Sequence, residues 1–148
     1  VDGFGTGSVQ VTGGALSLQN TARGARRSFN LAAAGAISAS LTYTFTKTGL
    51  DVNTDGVIVD VSNASGGTYT TLSTLTIPNA GAQSSGAIDI TSFISTDTTV
   101  RFQTTATNAT GDIVTIDNVL ITYTTYTGAS YIVRLGSLPS GFVQTAPV

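Results

Sequence analysis

The chain has 148 residues, a net charge of −2 and only 9% charged residues, against about 25% in an average soluble domain. That length fits one domain with a real core. The weak charge excludes the basic footprint that nucleic acid or an anionic membrane surface needs, and no apolar run reaches the ~18–20 residues of a membrane-spanning helix.

The kinds of residue point to strands. All eight acids are Asp, Lys47 is the lone lysine, Met, Trp, Cys and His are absent, and Thr is the commonest residue with 27 copies. Glu, Lys and Met are strong helix formers, whereas β-branched Thr favours strands. Without Cys there is neither a disulfide framework nor a thiolate metal site. The Thr/Ser/Gly/Ala/Asn-rich composition is typical of bacterial or archaeal surface proteins, and a first residue that is not Met fits a processed chain or an excised module.

Taken in chain order, Gly3-Phe4-Gly5-Thr6-Gly7 reads as a flexible lead-in, since it lacks the strand–helix context of a phosphate loop. Gly13-Gly14 splits the strands Val9–Thr12 and Ala15–Gln19. Leu41–Thr46 alternates large apolar residues with threonines, and Val57, Val59 and Val61 alternate with Ile58 and Asp60, the period of half-buried strands. Asn53-Thr54-Asp55-Gly56 is the turn before the valine strand. Ser65-Gly66-Gly67 links it as a hairpin to Tyr69–Ile77, which Pro78-Asn79-Ala80-Gly81 ends. Ile90–Ile94 is the one helix-like patch, a single turn. Val100 and Phe102 alternate with Arg101 and Gln103, Thr110-Gly111-Asp112 opens a further strand, and Val119, Ile121 and Tyr123 alternate with Leu120 and Thr122. The tail carries two apolar, strand-like stretches, Tyr131–Leu135 and Phe142–Val148.

These signals predict an all-β jelly-roll sandwich of two antiparallel sheets with eight to ten strands and no long helix. Leu41, Tyr43, Phe45, Val57, Val59, Val100, Phe102 and Ile121 are its expected core. One domain spans residues 1–148, with 1–12 and 126–148 expected as strand extensions between subunits.

From about Arg23 to Tyr123 the chain resembles secreted bacterial jelly-roll modules of the galactose-binding-like group, which includes many carbohydrate-binding modules. The resemblance rests on Arg26–Leu31, Ile37–Gly49, Gly56–Gly67, Asp89–Phe93 before Thr98–Phe102, and Ile116-Asp117-Asn118-Val119. It implies fold rather than ligand. In such modules an Asp in the position of Asp117 helps to hold a structural calcium with groups near the N-terminus. Asp117 is therefore the first calcium candidate, with Asp2 and Asp112 as partners. The Asp51-Val52-Asn53-Thr54-Asp55-Gly56 loop, with oxygens at alternate positions, is a second; hard Ca²⁺ takes several such oxygens. It lacks the closing Glu of an EF-hand. Plain turn chemistry, with Asp and Asn bonding their own backbone, is the competing reading.

Catalysis finds little to work with. Without His or Cys the usual nucleophile–base pairs cannot form, and a Ser–Lys pair or a Lys–Asn crosslink would need Lys47. No aromatic platform accompanies any Asp pair, as cleavage of a glycoside would need. No enzyme is expected. Arg23, Arg26 and Arg27 form a basic cluster suited to an acidic sugar, a neighbouring subunit or simple edge protection. Asn63-Ala64-Ser65 and Asn108-Ala109-Thr110 match glycosylation sequons. Two functional classes remain: a structural subunit of an extracellular filament or surface layer, polymerising with copies of itself by strand addition, and a non-catalytic module binding glycans. The missing Trp counts against the second.

Overall fold

The computed structural model describes residues 8–126. Asp2, Tyr131–Leu135 and Phe142–Val148 lie outside the described residues. Ten strands follow in order: β1 Val9–Thr12, β2 Ala15–Leu18, β3 Gly24–Phe29, β4 Ala36–Thr48, β5 Val57–Ser62, β6 Thr70–Leu75, β7 Ala80–Ser84, β8 Ile88–Asp89, β9 Thr98–Thr104 and β10 Ile113–Thr125. The helix-like patch is a 3-10 turn at Thr91–Phe93.

All pairings are antiparallel. One sheet runs β1-β2-β10-β4-β7, with β8 also on β4, and the other runs β3-β9-β5-β6. The chain crosses between sheets after β2, β3, β4, β6, β8 and β9, which makes a jelly-roll sandwich. Turn chemistry sets the local register. Gly13 and Gly14 have φ of 60° and 88° and pair Thr12 with Ala15, the left-handed backbone of a type I′ hairpin. The Ser65–Gly67 turn joins β5 to β6 as expected. Ala80 and Gly81, read as turn residues, instead begin β7, because β4 offers their backbone a partner at Lys47.

Between the sheets lies one apolar core in which Leu18, Leu41, Tyr43, Val57, Val59, Val61, Ile90, Val114 and Ile116 are almost wholly enclosed. Six of the expected core residues are buried, but Phe45 and Ile121 are only half-buried. Ile121 lies on the half of β10 that β2 does not flank, so no described strand covers one of its sides. Phe45 packs tilted against Tyr43 with the Lys47 ammonium over its ring.

Tyr43 is the largest enclosed side chain and meets Phe102 edge-on at 5.3 Å. Its hydroxyl has no partner in hydrogen-bonding geometry among the described residues. Burial raises its pKa, and the nearby Ser73 hydroxyl pulls the other way. A buried hydroxyl without a well-formed hydrogen bond leaves desolvation unrepaid. Tyr43→Phe is therefore expected to keep the melting temperature or raise it by a few degrees, while Tyr43→Ala costs about 3–5 kcal/mol. Thermal melts followed by circular dichroism check both; a large loss in the Phe variant would reveal a partner for the hydroxyl.

Candidate functional site

Pairing of Ile113 with Thr48 sets the loop after β4 beside the loop before β10. The two loops are fastened together by side chains. Asn108, buried, accepts the Gly56 N–H at 2.7 Å and the Thr105 hydroxyl at 2.7 Å through Oδ1, and its Nδ2 donates to the Asp112 carbonyl at 3.5 Å. Thr107 Oγ1 donates to the Thr54 carbonyl at 2.8 Å. Leu50 is sunk in the core and its backbone is bracketed by the Asn79 amide, N–H to Oδ1 at 3.0 Å and Nδ2 to carbonyl at 2.9 Å. Rigid support of this kind fixes side chains before a ligand arrives.

The loops bring three carboxylates together. Asp51, Asp55 and Asp112 each offer an oxygen within 4.8 Å of the others. Asp51 is exposed, whereas Asp55 is 1% and Asp112 5% exposed. The Asp55 carboxylate accepts the Val52 N–H through Oδ2 at 3.3 Å, and Asp112 accepts the Ala109 N–H through Oδ2. Buried Oδ1 of Asp55 has no hydrogen-bond partner in good geometry among the described residues. The Thr107 hydroxyl stands beside this carboxylate and also reaches the Thr54 carbonyl at 2.8 Å.

Electrostatics reflect the crowding. Contact with the Asp55 carboxylate raises the pKa of Asp51, with desolvation and repulsion from Asp55 and Asp112 adding to it. For Asp55, burial pushes upward, but the Thr107 hydroxyl, the Val52 N–H and Asp51 together bring it below the ordinary value. A raised carboxyl contributes stability at low pH that is lost as pH rises through its folded value. At neutral pH the three charges therefore oppose one another, and the chemistry that relieves them is a shared proton or a hard cation.

The other expected sites fall elsewhere. Asp117 stands exposed at a bulge, where its Oδ1 accepts the N–H of Asn118 at 2.7 Å, and Asn118 takes φ 51°. It is not among the carboxylates grouped with Asp112. Lys47 Nζ donates to the Thr76 carbonyl and so serves the β4 edge. Arg26 lies over Gly66, and Arg27 sits 5.6 Å from the Phe29 ring. Of the two sequons, Asn63 is exposed, whereas Asn108 is enclosed and occupied with the two loops. A glycan on Asn108 is incompatible with this fold.

A second feature is an open strand edge. β2 pairs with β10 only at Val114, Thr115 and Ile116. From Asn118 to Thr125, β10 is bonded to β4 on one side and to no described strand on the other. The bulge between Asp117 and Leu120 shifts the phase of the strand, so that Ile121 pairs with buried Leu41 and faces inward. Beneath this edge lies an apolar groove of ≈ 250 Å³, lined by Leu16, Val119 and Ile121 from one sheet and Ala25, Phe29, Val100 and Phe102 from the other, with Arg26 and Arg27 at its side. Val119, Leu120, Tyr123 and Tyr126 are exposed. At the far end of the same strand, Asp89, Thr91, Thr122, Tyr123 and Thr124 line a shallow depression together with Ala39 and Ala87.

No protein-family model matches the chain, and no curated protein matches it.

Proposed function

We propose that the domain is a structural subunit of an extracellular filament or surface layer, and that copies join by adding a strand to the open half of β10. The observation that carries this reading is the Asn118–Thr125 edge, which no described strand pairs on its outer side, with an apolar groove beneath it. Unpaired N–H and C=O groups recruit a strand, and pockets for alternate side chains select it. The proposed occupant is the C-terminal segment of a second copy. Residues 127–148 leave from the end of β10, hold Arg134 as their single charge, and contain two alternating apolar stretches. If Tyr131–Leu135 folded back onto its own edge, Phe142–Val148 would still need cover. Two strand-like apolar stretches and one such edge among the described residues favour a head-to-tail chain of subunits. Each large side chain that enters the groove contributes about 1.5–3 kcal/mol.

The test is light scattering and negative-stain microscopy over a range of concentrations. The full chain is expected to form linear assemblies. Val119→Lys, which charges the groove, and removal of residues 127–148 should each give monomers. A peptide of residues 131–148 should bind the shortened chain but not its Val119→Lys form. A full chain that stays monomeric at high concentration would overturn the reading.

That result would favour a second one, a non-catalytic glycan-binding module. It is supported by the resemblance to galactose-binding-like modules and by the depression where exposed Tyr123 and Thr122 stand near Asp89. Glycan-array binding lost in Tyr123→Ala would carry it.

A further inference from the structure

We propose that Asp51, Asp55 and Asp112 hold a calcium ion that ties the loop after β4 to the loop before β10. Two independent observations meet here. Three carboxylates from loops far apart in sequence converge within 4.8 Å, no farther apart than oxygens across a calcium sphere, about 4.6–5.2 Å from Ca–O distances of 2.3–2.6 Å. Within that cluster Asp55, almost fully enclosed, keeps a buried Oδ1 with no well-formed hydrogen bond among the described residues. Buried polar atoms are nearly always partnered, and a carboxylate oxygen is costlier to strand than a neutral one. The charges that bear on Asp51 are carboxylates too. A cation completes both the geometry and the charge.

The donor set selects the metal. All three side chains are hard oxygen ligands, and there is no Cys or His in the chain to favour zinc or copper. Loop backbone and water can fill the six to eight positions calcium accepts with loose geometry, whereas magnesium demands a tight octahedron. The supporting shell is already formed, because Asn108, Thr107 and Asn79 fix both loops without using the three carboxylates.

The experiment compares thermal melts and titration calorimetry of the full chain in EDTA, in CaCl₂ and in MgCl₂. Calcium at a hundredfold excess over its Kd is expected to raise Tm by about 5–10 °C. Asp51→Asn is the informative variant, because its side chain is exposed and the fold does not need it. It should melt higher than the native chain in EDTA, since one repelling charge is gone, and should lose the calcium shift. Asp117→Asn should keep that shift in full. A native Tm equal in EDTA and 10 mM CaCl₂, with no binding heat, would overturn the proposal. So would a calcium shift that survives in Asp51→Asn or disappears in Asp117→Asn. A magnesium shift as large as that of calcium would overturn the choice of metal.

Discussion

Arg101→Ala is expected to lower the melting temperature by about 10 °C, corresponding to roughly 3–5 kcal/mol. On the outer face of the second sheet, register places Arg26 beside Arg101, Arg101 beside Asp60 and Asp60 beside Thr71. Arg101 donates from Nε at 3.1 Å and from Nη2 to Oδ2 of Asp60, while Thr71 donates to Oδ1 at 2.9 Å. The Tyr69 ring stacks on the guanidinium at 3.7 Å, a contact that favours Arg over Lys. The pair is lopsided: the Asp60 side chain is 4% exposed and that of Arg101 30%. Removing Arg101 strands a buried carboxylate, whereas removing Asp60 leaves a guanidinium that water can reach. Asp60→Ala should therefore cost less, about 2 kcal/mol, and denaturant melts of both variants measure the difference. Equal losses would mean that the ion pair itself, not the stranded carboxylate or the Tyr69 stack, sets the cost.

Gly49→Ala should be as damaging, by about 3 kcal/mol or more, and should also remove any response to calcium. Gly49 has φ 81°, and a Cβ built there would stand 2.0 Å from the Gly111 carbonyl oxygen. The left-handed backbone alone costs a side chain about 1–2 kcal/mol. A clash with backbone cannot be relieved by a rotamer change, so the two loops must part. Gly111→Ala is the control: its φ is 106°, but its Cβ would meet nothing within 4 Å. It should cost only the strain. If melts place the two variants together, close packing of these loops contributes nothing to stability.

The strands were legible because their alternation and their turns agree. Gly13-Gly14 and Ser65-Gly66-Gly67 mark hairpins through backbone chemistry, and Leu41, Val57, Val59 and Val100 sit on inward phases that no long-range contact alters. Asp51 and Asp55 also read as a loop with oxygens at alternate positions. That Asp112 joins them was not legible, since it follows only from the pairing of Thr48 with Ile113. The Asp60–Arg101 pair was hidden for the same reason: it needs β5 and β9 to be neighbours. Asp117 drew attention by motif, yet the bulge beside it turns it to solvent. A signal for that bulge was present: apolar residues fall on even positions at Val114 and Ile116 and on odd ones at Val119 and Ile121. A phase change inside one strand needs an extra residue, and Asn118, a type that tolerates positive φ, supplies it.

The position of β9 and β10 bears on how the chain reaches this state. β9 lies between β3 and β5, and β10 between β2 and β4, so each sheet is held together by a strand that leaves the ribosome late. Until residue 98 has been made, β3 has no partner, and until residue 113, β2 and β4 cannot be bridged. Local hairpins such as β1–β2 and β5–β6 can form early, but they stay marginal without a third strand. Closing such distant pairings costs entropy before it returns contacts, which makes folding slow and leaves strand edges bare meanwhile. Fragments ending before β10 should therefore aggregate rather than fold, and the sandwich should form in one late, cooperative step.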